Sequence, residues 1–316
     1  MMLPRVCSLL LLGCVASTSH ASEFFQVRNE NQFARAVPLP VLLPGAPAAG
    51  QLDFGARLEL SSEFASLAAG DEQLLADGEI VTLGLSVSGR YSENSHWSVR
   101  LPVRYQGGGF MDDIITDWHD AFGLPQGGRD TAPSDRYRFA YARDGELVRN
   151  VTNTGARLGD MEIAWHYEPA SGWLFGAHLQ LPTGDEKQLA GGGAWGGAVW
   201  VTRSGQIGRL GGFLSAGASA NERGDVLPEQ QHRVTPFAGA GLRLRVFDWA
   251  TAVTQVYVHR APFKDSEIET LARDSVQLSV GAVFRPTDST RLHLLFQEDL
   301  GVYASPDFSM QAALYW

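Results

Sequence analysis

The chain has 316 residues and a formal net charge of −10 at pH 7, with 35 glycines, 44% hydrophobic residues and 19% charged residues. Its acidic balance argues against nucleic acid as a partner. The mean hydropathy of −0.10 excludes a bundle of membrane-spanning helices, since each such helix needs about 20 consecutive apolar residues. Many glycines and few charges instead indicate tight turns and much half-buried surface.

The N-terminus has the pattern of a bacterial secretion signal. A positive charge and a compact apolar run precede Ser19-His20-Ala21, a small-x-small cleavage site, so we predict a signal peptide over residues 1–21. A second interpretation stays open, because Leu11-Leu12-Gly13-Cys14 resembles the lipobox at which lipoproteins are cut and acylated on Cys14. The other cysteine is Cys7, so a chain cut after Ala21 has neither a disulfide nor a thiol for catalysis.

Residues 22–50 show no strand periodicity. Arg28-Asn29-Glu30-Asn31 is followed by a proline-broken apolar run over residues 37–47, which favours extended structure over helix. Two interpretations stay open for this segment. It is either an N-terminal arm packed on the periplasmic base of a barrel or a plug threaded into its lumen.

Beyond residue 50, apolar and polar residues alternate with a period of two, which is typical of strands with one face in lipid and the other in a polar interior. The predicted strands are 52–60, 81–87, 97–105, 161–167, 173–181, 195–202, 210–220, 234–246, 250–258, 276–284, 291–299 and 308–316. We therefore predict an all-β fold, a transmembrane antiparallel β-barrel of about twelve strands over residues 51–316.

The connections between these strands differ in length. Short turns alternate with longer connections over residues 64–79, 107–157, 182–193, 221–232 and 261–274, an asymmetry that places both termini of outer-membrane barrels in the periplasm. The chain ends in Trp316 after alternating apolar residues, which resembles the signal that the barrel assembly machinery reads. We expect a protein of the Gram-negative outer membrane, in contact with membrane lipid and lipopolysaccharide.

The longest connection, residues 107–157, is expected to be extracellular and to lid, plug or border the barrel. Residues 110–122 have helical spacing, so we predict a short amphipathic helix there. Its apolar face is expected to fold into the barrel mouth, to lie on the outer leaflet, or to receive a hydrophobic substrate. The candidate gate or ligand residues are Phe110, Ile114, Asp117, Trp118, His119, Asp120 and Phe122.

The same connection carries a family resemblance. It contains Gly108-Gly109-Phe110-Met111-Asp112, Trp118-His119-Asp120, Phe122-Gly123-Leu124-Pro125, Gly127-Gly128-Arg129-Asp130 and Asp135-Arg136-Tyr137. With these motifs, the signal peptide and Arg28-Asn29-Glu30-Asn31, the chain resembles a proteobacterial family of unknown function whose members are secreted and β-rich. The resemblance implies the family and no established activity.

Chemistry-bearing motifs are few. The sequence has no G-x-S-x-G elbow, H-E-x-x-H pair, phosphate loop or dinucleotide fingerprint, so we assign no catalytic residue and expect no cofactor. Asp113, Asp117 and Asp120 share one helical face, which leaves a divalent cation site as a weaker alternative to a solvated acidic face. A rim hydrolase that uses His119 and its neighbouring carboxylates is a further alternative.

Strand parity predicts which side chains face the barrel interior. Both charge signs occur among them, so they either form ion pairs that fill a narrow interior or line a weakly selective polar pathway. The lumen candidates are Arg57, Glu59, Arg100, Arg104, Glu162, His166, His178, Arg243, Arg245 and His293, with Gln255, Gln277 and Arg291 at equivalent positions.

Twelve strands enclose a lumen between one that side chains fill and an open pore. We therefore expect a constricted or plugged channel for passage or uptake of a small or hydrophobic molecule. The alternative is a structural envelope barrel whose acidic loops bridge lipopolysaccharide through cations.

Overall fold

The structure is a computed structural model that describes residues 23–39, 52–123, 128–129, 132–169, 172–300, 306 and 308–316, without the side chains of residues 118, 119, 122 and 308. The predicted signal peptide and the acylation alternative at Cys14 lie outside these residues. The helices are α1 (Asp112–Phe122) and α2 (Glu269–Ala272). The strands are β1 (Leu52–Ala69), β2 (Glu72–Ser92), β3 (Ser95–Gly107), β4 (Arg138–Arg143), β5 (Glu146–Val151), β6 (Gly155–Leu158), β7 (Met161–Tyr167), β8 (Trp173–Leu181), β9 (Gly196–Ile207), β10 (Leu210–Asn221), β11 (Val234–Phe247), β12 (Ala250–His259), β13 (Ser275–Phe284), β14 (Arg291–Asp299) and β15 (Phe308–Tyr315).

The strands form one closed antiparallel barrel, in which β1 pairs with both β2 and β15. Leu158 pairs with Val103 and Glu162 pairs with Arg100, so β6 and β7 together make one bulged wall strand beside β3. Of the fifteen strands, β4 and β5 form an extra hairpin and β6 and β7 share one position, which leaves twelve in the wall. The prediction of a twelve-stranded barrel is confirmed, and each predicted strand coincides with a wall strand.

An apolar band covers the outer face of the wall. On β1, Leu52, Phe54 and Leu58 are exposed, whereas Arg57 and Glu59 are buried, since successive residues of a strand face opposite sides of the sheet. Among the described residues, no helix is long and apolar enough to cross a membrane. Near the short turns, aromatic side chains stack in the pairs Phe54–Trp316, Trp165–Tyr167 and Phe247–Trp249, the arrangement of an interfacial girdle.

The hairpin of β1 and β2 rises above the rest of the wall. The predicted long loop over residues 64–79 is wrong, because β1 continues to Ala69 and β2 begins at Glu72. Gly70 adopts a positive φ of 54° in the two-residue turn between them. The segment is rich in alanine, whose small side chains weaken the apolar–polar alternation on which the strand prediction depended.

Residues 107–157 extend this raised wall instead of forming one loop. Gly107 at the end of β3 pairs with Glu79, and Arg138 at the start of β4 pairs with Asp77. β4 therefore continues the line of β3 along β2, and β5 returns beside β4. Residues 108–136, which we name the outer excursion, leave this strand line and rejoin it. The predicted helix lies within the excursion as α1.

Candidate functional site

The N-terminal segment Glu23–Leu39, which we name the plug, lies inside the barrel. Every plug residue except Gln26 is buried. Glu23 forms ion pairs with Arg243 and Arg285 at the short-turn end of the wall. The plug then runs toward the long-loop end, where Ala36 packs against the backbone of Gly192. The described part of residues 22–50 thus lies within the wall.

An inner apolar cluster receives the first plug residues. Phe24 packs edge-on against Phe213, with ring centroids 4.7 Å apart. Gln255 holds the Phe25 backbone, because its side-chain oxygen accepts the Phe25 N–H at 2.5 Å and its nitrogen donates to the Phe25 carbonyl at 3.2 Å. The wall members of the cluster all lie on β8–β14: Leu174, Ala198, Trp200, Phe213, Phe237, Val253, Tyr257, Val283 and Leu295.

Glycines on the inner face make room for these large side chains. A Cβ on Gly176 would lie 2.1 Å from the indole of Trp200, and one on Gly241 would lie 2.4 Å from the ring of Phe213. Such distances are far below van der Waals contact, so a larger residue at either position displaces the aromatic side chain. These glycines of β8 and β11 are thus matched to the aromatic residues on the neighbouring strands β9 and β10.

The centre of the plug belongs to a buried ion-pair network. Arg28 Nη1 donates to the Glu162 carboxylate at 2.7 Å, and Arg100 binds the same carboxylate at 2.5 and 3.1 Å. Arg28 also contacts Glu30 at 3.3 Å, and Glu30 pairs with Arg35. Because each carboxylate is shared by two guanidinium groups, removal of one carboxylate leaves uncompensated buried charge.

Asn31 sets the turn at the far end of the plug. Its Oδ1 accepts the backbone N–H groups of Phe33 and Ala34, each at 3.0 Å, and the 3-10 turn Ala34–Ala36 follows. Its Nδ2 donates to Glu63 on the wall at 3.1 Å. An asparagine at this position therefore caps the turn and also ties it to β1.

An apolar cap closes the long-loop end above the network. Phe33 is fully buried there. Gln230 Nε2 donates to the Tyr141 hydroxyl at 2.9 Å, and that hydroxyl donates to Glu72. Burial, together with the bond to Glu72, raises the pKa of Tyr141, which lies above the barrel wall on β4, to about 12. The other cap residues are Leu74, Ala76, Ile80, Tyr137, Phe139, Val151, Leu189, Val226, Leu227, Phe263, Ile268 and Leu271.

The lumen candidates from strand parity lie on the inner face of the wall. Arg245 is half-buried at the short-turn mouth. Several of the other lumen candidates form ion pairs. Some of their partners are plug residues, which strand parity cannot predict because the plug is not a strand. The buried ones are Arg57, Glu59, Arg100, Arg104, Glu162, His166, His178, Arg243 and His293.

The outer excursion lies on the outer face of the raised wall. Glu79 accepts the backbone N–H groups of Phe110 and Met111 just before α1. Glu79 shares one face of β2 with Leu83 and Leu85, which are exposed in the outer apolar band. The described residues around the start of α1 therefore lie on the outside of the wall.

Of the predicted loop candidates, Phe110 and Ile114 do not fold into the barrel mouth. Phe110 and Ile114 are 63% and 56% exposed, whereas Met111 and Ile115 are buried. The expectation that Phe110 and Ile114 fold into the mouth is wrong, because Met111 and Ile115 form the face that packs on the protein. Asp117 and Asp120 are exposed. The side chains of Trp118, His119 and Phe122 lie outside the described part.

The three carboxylates of the cation-site alternative do not point toward a common centre. Asp113, Asp117 and Asp120 are exposed on α1, and no group of three His, Cys, Asp or Glu side chains in the described ranges is arranged to hold a metal ion. Asp112 instead accepts a hydrogen bond from Arg129 at 2.6 Å. The site that the structure assembles is thus the plugged lumen.

Sequence reasoning missed several residues of this site. Glu23 binds the start of the plug to the wall, Glu63 on β1 binds the plug at Asn31 and Gln32, and Asn29 hydrogen-bonds His259 at 2.9 Å. The available signal was the polar run Arg28-Asn29-Glu30-Asn31 itself. A segment with so many side-chain donors and acceptors, and no regular structure of its own, needs a polar environment that satisfies them.

Comparison with known proteins now bears on this architecture. A family described as "Protein of unknown function (DUF3187)" matches residues 6–315. The chain belongs to the DUF3187 family. This confirms the predicted membership of a family of unknown function. A comparison of this DUF3187 protein with curated proteins finds no match.

Solved structures share the barrel fold of this DUF3187 protein. The COG4313 outer membrane channel from Pseudomonas putida F1 superposes with a TM-score of 0.54 at 13% identity, over 85% of this chain and 96% of that chain. The KdgM porin gives a TM-score of 0.43 at 7% identity, over 84% and 98% of the two chains. The translocator domain of autotransporter NalP from Neisseria meningitidis gives 0.43 at 12% identity, over 85% and 89%.

Proposed function

We propose that this protein is an outer-membrane channel that its own N-terminal plug closes at rest, and that it passes a small or hydrophobic molecule when the plug is displaced. The observation that carries the proposal is the position of Glu23–Leu39 within a closed twelve-stranded wall. A twelve-stranded lumen is wider than the eight-stranded one that side chains fill. The plug supplies the missing volume.

The plug is suited to reversible closure because it is bound differently from the wall. Wall strands are joined by continuous backbone ladders. The plug is held by side-chain contacts, such as those of Gln255 to Phe25 and of Glu162 to Arg28. Its release therefore breaks hydrogen bonds and ion pairs but leaves the barrel ladder intact. The outer excursion is not the gate in this proposal, since it lies on the other side of the wall.

The proposal includes the predicted location in the outer membrane and the predicted partners. The outer apolar band and its aromatic pairs favour an outer-membrane position in contact with lipid and lipopolysaccharide. Trp316 follows β15 and is 51% exposed, which suits recognition of the chain end by the barrel assembly machinery. Cross-linking of Trp316 variants to that machinery during assembly tests this partner.

The test is ion conductance in planar bilayers of a chain that lacks residues 23–39. We expect the intact chain to be silent and the deletion to form a stable pore. The matched control deletes residues 108–136. Because Gly107 and Arg138 pair with Glu79 and Asp77 on the same strand, a direct join of Gly107 to Tyr137 keeps β3 and β4 in register. This control is expected to remain closed.

Folding of each variant is checked by heat-modifiable mobility on gels. A folded but silent 23–39 deletion contradicts the proposal, as does equal conductance from the control deletion. If the plug deletion does not fold, Arg28→Gln replaces it and is expected to open intermittently. A lumen that stays closed in all these variants favours the second candidate, a structural envelope barrel, which the density of buried ion pairs also supports.

A further inference from the structure

We infer that the short-turn mouth of the lumen binds small amphipathic carboxylates, and that Glu23 and the aromatic residues after it occupy this site as an internal competitor. The inference rests on the proposed channel and names its ligand class. The observation behind it is that two arginines, Arg243 and Arg285, bind one carboxylate directly beside apolar side chains.

The carboxylate part of the site is built by two arginines. The Glu23 carboxylate contacts Arg243 Nη1 with one oxygen and Arg285 Nη2 with the other. Arg243 is almost fully buried and is oriented by Gln206, whose side-chain oxygen accepts from Arg243 Nη2 at 2.6 Å. Two guanidinium groups on one carboxylate give strong and directional recognition of an anion.

Two arginines of the mouth depend on the plug for their carboxylate. Arg245 follows Arg243 on the inner face of β11, and Arg291 pairs with Asp53 at 2.5 Å. Four arginines of this mouth thus meet two carboxylates among the described residues, and one of the two belongs to the plug. When the plug leaves, Arg243 and Arg285 lose their carboxylate. A soluble anion then takes the place of Glu23.

The apolar part of the site begins next to these arginines. The Phe24 ring lies 5.8 Å from the Arg243 guanidinium carbon and 4.7 Å from the Phe213 ring. Phe25 and Val27 continue into the inner apolar cluster. The first plug residues therefore present a carboxylate followed by apolar groups. The wall contacts the carboxylate with arginines and the apolar groups with the inner apolar cluster.

This arrangement selects one ligand chemistry. A sugar requires several hydrogen-bond partners, whereas the part of the wall that receives Phe24 presents large apolar side chains such as Phe213 and Val253, with polar residues such as Gln255 between them. An uncharged hydrocarbon leaves Arg243 buried without an anion, which is costly. A monocarboxylate with an aromatic or alkyl body satisfies both parts of the site.

The test is calorimetric binding of 3-phenylpropionate to the folded, full-length protein in non-ionic detergent, with empty micelles as reference and 3-phenyl-1-propanol as the uncharged probe. We expect the acid to bind and the alcohol to bind at least about tenfold more weakly. Glu23→Gln should bind the acid about tenfold or more tighter, because it weakens a competitor present at millimolar effective concentration. Arg243→Gln and Arg285→Gln should lose that binding.

Matched variants control for general charge effects. Glu93 and Arg209 are exposed in turns at the same end, so Glu93→Gln and Arg209→Gln should bind as the unmodified chain does. The inference is overturned if the alcohol binds as well as the acid, or if Glu23→Gln gains no affinity. If Glu23→Gln does not fold, binding of the acid to Arg285→Gln is the deciding measurement. Arg285 is partly exposed, so its substitution should disturb folding less than a change at the buried Glu23.

The two proposals fail separately. A plug deletion that conducts, in a protein that binds no carboxylate, leaves the channel standing and removes its ligand class. A protein that binds the acid with the expected variant pattern, but whose plug deletion stays closed, keeps the binding site and loses the channel.

Discussion

The plug and the outer excursion both interrupt the strand pattern, yet they lie on opposite sides of the barrel wall. The plug, Glu23–Leu39, has almost no regular structure and is buried in the lumen. The excursion, residues 108–136, contains an amphipathic helix and packs on the outer face through Glu79. Helical amphipathicity shows that a segment has two faces but not what they contact. Unpaired polar backbone and side chains indicate a segment that needs polar partners, and in this protein the lumen supplies them.

The largest expected effect comes from the wall carboxylate that binds the centre of the plug. Glu162→Ala leaves Arg28 and Arg100 buried without their shared carboxylate, so we expect a loss of about 3–5 kcal/mol in the free energy of unfolding. The matched change in the excursion, Asp112→Ala, removes an ion pair with Arg129 and a hydrogen bond from the Asp135 N–H at a partly exposed site and should cost less. Urea unfolding in lipid vesicles measures both. An equal or larger cost for Asp112→Ala contradicts the comparison.

A pair of phenylalanines tests the same contrast through packing. Phe33 is fully buried in the apolar cap, whereas Phe110 is 63% exposed at the start of the excursion. Phe33→Ala should reduce the free energy of unfolding by about 3–5 kcal/mol, because it opens a cavity in the cap. Phe110→Ala should change it by about 0.5 kcal/mol or less. Similar losses for the two variants would place Phe110 in a packed site and refute the described orientation.

Adjacent isoleucines on α1 sharpen the orientation of the helix. Ile115 is 3% exposed and Ile114 is 56% exposed. Ile115→Ala should cost about 2–4 kcal/mol and Ile114→Ala close to zero, as measured by urea unfolding. The sequence-based alternative in which the apolar face folds into the barrel mouth expects the reverse order, with Ile114 on the packed face. This pair therefore decides between the two orientations of the same helix.

The smallest expected effect concerns the pH dependence of the cap. The folded pKa of Tyr141 is raised to about 12 by burial and by its bond to Glu72, and the unfolded value is about 10. Because the folded state holds the Tyr141 proton more tightly, the contribution of this residue to the free energy of unfolding is fully present below about pH 10. It is lost as the pH rises from 10 toward 12. Tyr141→Phe should flatten the loss of thermal stability between pH 10 and 12. Tyr91→Phe, at an 85% exposed residue, should leave that loss unchanged.

The wall was predictable because its physical cause is local. A lipid-facing residue and a lumen-facing residue must alternate along each strand, so Leu58 and Glu59 reveal their faces without knowledge of the fold. The same logic places Arg57, Arg100 and Glu162 inside. It failed over residues 64–79, where alanine contributes little hydrophobic contrast between the two faces.

The site was less predictable because its contacts are distant in the sequence. The plug residue Arg28 meets Glu162, and Asn29 meets His259, and no local pattern in one segment specifies its partner in the other. The position of α1 was hidden for a similar reason. Glu79 accepts the N–H groups at the start of the helix on the outer face. Glu79 faces outward because β2 extends back to Glu72, whereas the sequence pattern predicted a loop over residues 64–79.

The most direct test of the account is thiol accessibility at the two segments. A chain cut after Ala21 has no cysteine, so Ala34→Cys in the plug and Ile114→Cys in the excursion each provide a single thiol. In the folded protein, a bulky polyethylene glycol maleimide should label Ile114→Cys rapidly and Ala34→Cys very slowly, because Ala34 is 3% exposed. Both should react equally after unfolding. Equally rapid labelling of Ala34→Cys in the folded barrel would contradict the plug.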